Sequence, residues 1–189
     1  MKSKITDELL RQIEIAAMVL HQADFYSEFD LAEHFGNSVQ SIRRDMGKLR
    51  NMGIEIHSSK GTLSIDKSIN LNTLNDILCT YLSLSNNETI RNLKLIQNKF
   101  GDNIIYYFVK LIKAINEKRF VIFTYKVYYS EGPIERTILP LTLSRIGKTI
   151  YLIGYENDNP NKIRHYLLER IIKFDFPNIK SKIKNSPDI

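Results

Sequence analysis

Between Ser27 and Gly53 the sequence places two helix starts and two helix stops so close together that only a pair of short, abutting helices satisfies them. Ser27 offers a hydroxyl to an exposed backbone N–H, Asp30 stands at the capping-box position, and Gly36 suits the left-handed turn that ends a helix over 28–35. Ser38 caps the next helix and Gly53 ends it. Within that helix Ile42, Met46 and Leu49 share one side, while Gln40, Arg43, Arg44 and Lys48 fall on the other. A longer helix over 7–21 precedes the pair, with Leu9, Leu10, Ile13, Ala16, Ala17 and Leu20 at three- and four-residue spacings. After Gly53 the period changes to two: Ile54–Ile56 and Leu63–Ile65 alternate as strands around a turn at Ser58–Gly61.

Three helices followed by a hairpin form a winged helix-turn-helix, whose third helix enters the major groove of DNA. The run from Phe35 to Gly53 resembles the recognition segment of DeoR-type regulators, Ser-x-x-(Thr/Ser)-Ile-Arg-Arg-Asp-Leu. Ser38, Ser41, Ile42, Arg43, Arg44 and Asp45 match it, and Met46 stands in for the leucine. The resemblance implies duplex-DNA binding by Ser38, Val39, Gln40, Ser41, Arg43, Arg44 and Lys48, with Lys60 on the wing. By geometry Val39, Gln40 and Arg43 reach base edges, and Arg44, Lys48 and Lys60 meet phosphates. Asp45 reads as structural, orienting a neighbouring Arg, because an outward acid would repel the duplex. The competing reading is a charged, solvated helix on a bundle.

Charge alone would not have found this segment. The chain of 189 residues carries a net +6, yet residues 1–65 sum to −1 and residues 66–189 to +7. A composition of 43% hydrophobic and 25% charged residues is that of a soluble globular protein with one ordinary domain or two small ones. No apolar run approaches a membrane span. Asp7 and Glu8 interrupt the start before a secretory signal forms. Cys79 is the only cysteine, which excludes an intramolecular disulfide and fits the cytoplasm. Four scattered histidines support no metal site.

Residues 66–72 read as a polar connector. Leu74, Ile77, Leu78, Tyr81 and Leu82 then make a helical stripe. Ser85–Glu88 caps a second helix carrying Ile90, Leu93 and Ile96, which Gly101 closes. A third helix, over 104–118, buries Ile105, Phe108, Leu111, Ile112 and Ile115. From Phe120 strand-like segments follow at 120–129, 137–145, 149–155 and 163–174, broken at Gly132-Pro133, at Gly147 and at 156–161. Pro140 favours an edge or a bulge. Four or five short antiparallel strands suit a small barrel or a strongly bent sheet.

The stretch Pro140–Tyr155, followed by Ile163–Ile171, resembles the WYL domain, an Sm/SH3-like barrel found behind winged helices in bacterial regulators. Tyr151 and Leu152 match the family's Tyr-Leu, Ile150 replaces its tryptophan, and Glu169 replaces the acid before Arg170-Ile171. The fold class expected is therefore α+β: a winged helix-turn-helix over 1–66, a helical connector or dimerisation region over 67–118, and a WYL-like barrel with a basic tail over 119–189. The resemblance implies an anionic effector, single-stranded nucleic acid or a nucleotide-like ligand. Arg136, Arg145, Arg164, His165 and Arg170 would donate to it and Tyr151 would stack, with Tyr155 and Tyr166 as further stacking faces. Arg164 and Arg170 share strand parity but lie about 20 Å apart along a regular strand, so a compact pocket requires a bend. The alternative is that the tyrosines pack the barrel and the arginines are solvated.

Many members of that family carry a further C-terminal assembly domain, and only 18 residues follow Ile171 here. Dimerisation is therefore expected from the middle helices or the barrel, and residues 179–184 read as a basic tail or a short helix. Nucleophile-elbow, P-loop and dinucleotide-binding motifs are absent, so neither an enzyme nor a cofactor is expected. Glu156 and Asp158 sit in an expected loop. The whole reads as a cytoplasmic bacterial regulator, a homodimer on an operator, with effector binding altering operator affinity. A single-stranded nucleic-acid module without a switch and a protein-association scaffold are the alternatives.

Overall fold

The computed structural model describes residues 4–65, 69–85, 99–128 and 132–181. The chain divides into two compact units, Met1–Val109 and Lys110–Ile189.

The first unit opens with α1 (Lys4–His21), α2 (Glu28–Phe35) and α3 (Val39–Asn51). The caps form as the sequence requires. Ser27 Oγ accepts from Asp30 N at 3.2 Å, and the Asp30 carboxylate accepts from Ser27 N at 2.7 Å, closing the capping box. Gly36 sits at φ 61°, ψ 39°, a conformation that stops α2 and that a side chain would resist. Ser38 Oγ accepts from Ser41 N at 3.2 Å and starts α3. Ile13, Ala16 and Ala17 of α1, Leu31 and Ala32 of α2, and Ile42, Met46 and Leu49 of α3 are buried. Burial of each large aliphatic side chain among them stabilises the unit by about 2 kcal/mol.

The wing follows as an antiparallel hairpin, β1 (Ile56–Ser59) and β2 (Thr62–Ile65). Its turn is shorter than the sequence suggests. Lys60 at φ 51° and Gly61 at φ 87° form a two-residue turn whose twist matches that of the strands, so Ser58 and Ser59 belong to β1.

Asn70 then caps α4 (Leu71–Leu84), which buries Leu74, Ile77, Leu78, Tyr81 and Leu82, and Tyr81 Oη donates to Glu14 of α1 at 3.0 Å. The expected polar connector is less free than its composition implied: Ile69 is buried, and its N–H donates to Asp102 Oδ2 at 3.1 Å. The expected cap at Asn86–Glu88 and the stripe Ile90, Leu93 and Ile96 lie outside the described residues. Gly101, at φ 56°, opens a 3-10 turn through Asn103. The next helix, α5 (Ile104–Asn116), contains the boundary between the units.

The second unit is a five-stranded antiparallel sheet of β3 (Val121–Tyr125), β4 (Ile134–Ile146), β5 (Thr149–Glu156), β6 (Asn159–Leu167) and β7 (Ile171–Asp175). Its order is β6-β5-β4-β3-β7. Pro140 lies at a bulge, where the β4–β5 register shifts between Pro140 and Thr142. Opposite it stands Gly154, where a Cβ would lie 2.5 Å from the Leu139 carbonyl oxygen; only glycine permits β5 to pass so close. One face of the sheet carries the buried Val121, Phe123, Ile138, Leu152 and Tyr166.

The second unit departs from the sequence expectation at three segments and in the closure of its sheet. The run 163–174 is not one strand: a 3-10 turn, Leu168–Arg170, separates β6 from β7. Residues 156–161 are not a loop, because Glu156 ends β5 paired with Asn159, leaving Asn157–Asp158 as the turn. Residues Ile179–Ser181 are not a free tail: Phe120 N donates to Ile179 O at 3.0 Å, and Ser181 N to Lys118 O at 2.9 Å. Among the described residues the sheet does not close into the expected Sm/SH3-like barrel. Leu167 N donates to Tyr125 Oη at 3.3 Å and Lys126 N to Arg170 O at 3.0 Å, so the sheet curls, yet among the described residues no ladder joins β6 to β3 or β7. Among the described residues no helix is long and apolar enough to cross a membrane.

Candidate functional site

The outward face of α3 carries exposed Gln40, Arg43, Arg44 and Lys48, with Val39 and Ser41 half-buried beside the exposed cap residue Ser38. What fixes that face in place lies underneath it. Asp45 is 1% exposed and accepts from Arg11 Nε at 2.8 Å and Gln12 Nε2 at 2.9 Å, both on α1. The arginine that Asp45 orients is thus on α1, not beside it on α3. A buried carboxylate satisfied twice holds α3 at one rotation, with its basic side outward. Lys60 sits exposed at the tip of the wing, and His57 is exposed on β1.

The cations of this face are already engaged. Arg43 Nε, 65% exposed, pairs with Glu28 Oε2 at 2.8 Å, and Lys48 Nζ pairs with Glu8 Oε1 at 2.6 Å. Arg44 donates to Ser41 Oγ at 3.2 Å, and the Ser38 and Ser41 hydroxyls lie 2.9 Å apart. The hydrogen bond from Lys48, helped by the fields of Arg11 and Arg44, outweighs desolvation and holds the Glu8 carboxyl below the usual carboxylate value. Asp30 is lowered likewise, by its bonds from Ser27.

A second cluster forms in the sheet unit. Glu156, at the end of β5, accepts from Tyr166 Oη at 2.8 Å and from Arg164 Nε at 3.3 Å, with Arg136 Nε 4.0 Å away. Hydrogen bonding from Tyr166 is the main cause of the lowered Glu156 pKa, and the two arginines add to it against some desolvation. Burial, with the Glu156 carboxylate second, pushes the Tyr166 hydroxyl well above its ordinary value. Tyr166 itself packs edge-on against Phe123 and Tyr125, at ring separations of 4.9 and 5.3 Å.

A family model described as an HTH domain matches residues 11–62, and one described as a WYL domain matches residues 106–175. This chain joins an HTH domain to a WYL domain. The solved structure of proteasome accessory factor B/C (PafBC) of Arthrobacter aurescens is similar, with 16% identity and a TM-score of 0.37 over 97% of this chain and 35% of that one. The chain therefore spans about a third of that protein's length. Comparison with curated proteins finds no match.

Within the WYL domain the expected ligand residues do not form one cluster. Pairing of Gly154 with Arg164, Leu152 with Tyr166 and Ile153 with His165 puts Arg164 and Tyr166 on one face and His165 on the other. Tyr151 belongs with His165, their rings 6.4 Å apart, on the face opposite Arg164. Arg145 Nε donates to Gly147 O at 2.9 Å and is held at the β4–β5 hairpin tip. Arg170 lies in the 3-10 turn, so strand parity does not apply to it, and its guanidinium stacks 3.6 Å from the Tyr128 ring centroid. Arg136 and Arg164 alone converge on Glu156. Tyr155 and Tyr166 are buried, as is Ile150 at the tryptophan position, so none of the three presents an open stacking face.

Sequence reasoning missed Glu156, Glu8 and Glu28. For Glu156 a signal existed: the two-residue alternation of β5 continues from Leu152 through Gly154 to it. Glu8 and Glu28 meet residues 40 and 15 positions away, and no local spacing marks such a pairing.

Proposed function

We propose that the protein is a non-catalytic, cytoplasmic transcriptional regulator. Its HTH domain, with a DeoR-type recognition helix, binds duplex DNA as a homodimer on a two-fold-related operator. The observation that supports this best is the face of α3, exposed and basic, yet clamped from below by Asp45, Arg11 and Gln12. Base reading needs such a rigid, outward set of donors. Arg43 and Gln40 read bases; Arg44, Lys48 and Lys60 hold phosphates. The WYL domain takes an anionic effector, a single-stranded nucleic acid or nucleotide-like ligand, at Arg136 and Arg164. The effector replaces Glu156 as their counter-ion and must favour one domain arrangement over another, because equal affinity shifts nothing.

The test is a titration of the full chain with a duplex selected from a random pool, with and without a short single-stranded oligonucleotide or a nucleoside phosphate. The effector changes duplex affinity in the wild type. Arg136→Ala and Arg164→Ala lose that change and keep the basal affinity. An oligonucleotide that binds without moving duplex affinity contradicts the switch and leaves a single-stranded nucleic-acid module. No binding of either probe to the sheet face contradicts effector sensing and points to a scaffold.

A further inference from the structure

A groove of about 540 Å³ runs between the first turns of α1 and the outer side of α3. Arg11, Arg44 and Lys48 line it with Ser41, Asn37 and two acids, Glu8 and the exposed Asp7. We propose that this groove is a seat for a DNA backbone phosphate and that the Glu8 carboxylate is the built-in anion that fills it until DNA arrives. The inference rests on the DNA-binding reading above and extends it to α1, which that reading treats only as scaffold.

Three observations converge. Lys48 Nζ lies 2.6 Å from Glu8 Oε1, an anion-to-cation contact of the kind a phosphate oxygen makes. The hydrogen bond from Lys48 is the main cause of the lowered Glu8 carboxyl, and the fields of Lys48, Arg11 and Arg44 add to it. Arg44, exposed and held by Ser41 Oγ at 3.2 Å, borders the same groove, so a phosphate displacing Glu8 meets Lys48, Arg44 and a hydroxyl together. Arg11 stays tied to Asp45 and supplies field instead of a contact. Glu8 projects from an early turn of α1 and is only partly buried, so it can swing out without unpacking the core. On leaving, the freed carboxylate takes up a cation and stands near the duplex, which lowers both the affinity and the salt dependence of binding.

The experiment measures binding of the full-length protein to a mixed-sequence duplex across a salt series. Wild type is compared with Glu8→Gln, Glu33→Gln and the double variant Glu8→Gln/Lys48→Ala. Glu33 is exposed on α2 and outside the groove, so it removes the same charge elsewhere. Glu8→Gln tightens binding by about 3- to 10-fold at low salt and steepens the log–log salt dependence by up to about 0.9. Glu33→Gln gains less than half as much, and the double variant loses the gain. Equal gains for Glu8→Gln and Glu33→Gln reduce the effect to net charge and overturn the seat. Wild-type binding with an unchanged Glu8→Gln slope overturns it too. Failure of every variant, wild type included, to bind duplex at low salt overturns the DNA-binding reading itself.

Discussion

Two carboxylates at the residue scale have opposite duties. Asp45 is buried and bonded twice, so it contributes by holding α3 to α1. Removing it leaves the Arg11 guanidinium largely buried without its counter-ion. Asp45→Ala is expected to cost about 3 kcal/mol of unfolding free energy, read as a lower denaturant midpoint; an unchanged midpoint would exclude the clamp. Glu156 is partly exposed and works through charge. Its folded-state pKa is depressed, so its contribution is complete above the unfolded carboxylate value near about 4.3 and is lost as pH falls through the folded value. Glu156→Gln is expected to flatten that acid-side part of the stability profile while lowering stability at neutral pH. Thermal melts of both proteins from neutral pH down to the acid limb check it, and parallel curves would contradict it. The identity of Asp45 as structural was legible from its sign alone on a helix expected to face DNA. Its partners were not, because they lie 33 and 34 residues away.

Among the elements, those bounded by local chemistry were readable and those bounded by tertiary geometry were not. Both ends of α2 follow from Ser27, Asp30 and Gly36. The start of α3 follows from Ser38, and the bulge at Pro140 from its missing N–H. By contrast, the break between β6 and β7 falls within Tyr166–Ile172, a stretch with no glycine or proline in which Glu169 and Arg170 alone interrupt apolar and aromatic residues. There the curl of the sheet decides, and the 3-10 turn at Leu168–Arg170 follows from it. The same curl depends on Gly154. Gly154→Ala puts a methyl group 2.5 Å from the Leu139 carbonyl oxygen and is expected to destabilise the protein by about 2 kcal/mol, through loss of the close β4–β5 passage. A circular-dichroism melt reads this directly. A variant as stable as wild type would show that the strands relax apart at no cost.

Across the whole molecule the charge balance is the instructive quantity. Residues 66–189 carry a net +7, yet the face proposed to read duplex DNA lies in a segment of net −1. The structure explains how both hold: Glu8 and Glu28 are paired to Lys48 and Arg43, so the acids of the first unit mask its own basic face. In the proposed complex the phosphate contact of Lys48 has to displace Glu8, and the base contact of Arg43 has to displace Glu28. The order of the two domains was legible from motifs that carry mechanism, the Ser-capped basic helix and the Tyr-Leu strand with its Arg-Ile successor. The division of the expected ligand residues between two sheet faces was not, because it depends on the register of β5 against β6. The central claim is that α3 reads sequence through Arg43. Its most direct test is selection of bound duplexes from a random pool by the full-length protein and by Arg43→Ala. The account predicts one enriched motif for the wild type and, for the variant, loss of preference at the contacted position with affinity for the selected duplex lower by about 2 kcal/mol, roughly 30-fold. A pool that shows no enrichment, or a variant that selects the same motif with the same strength, would contradict it.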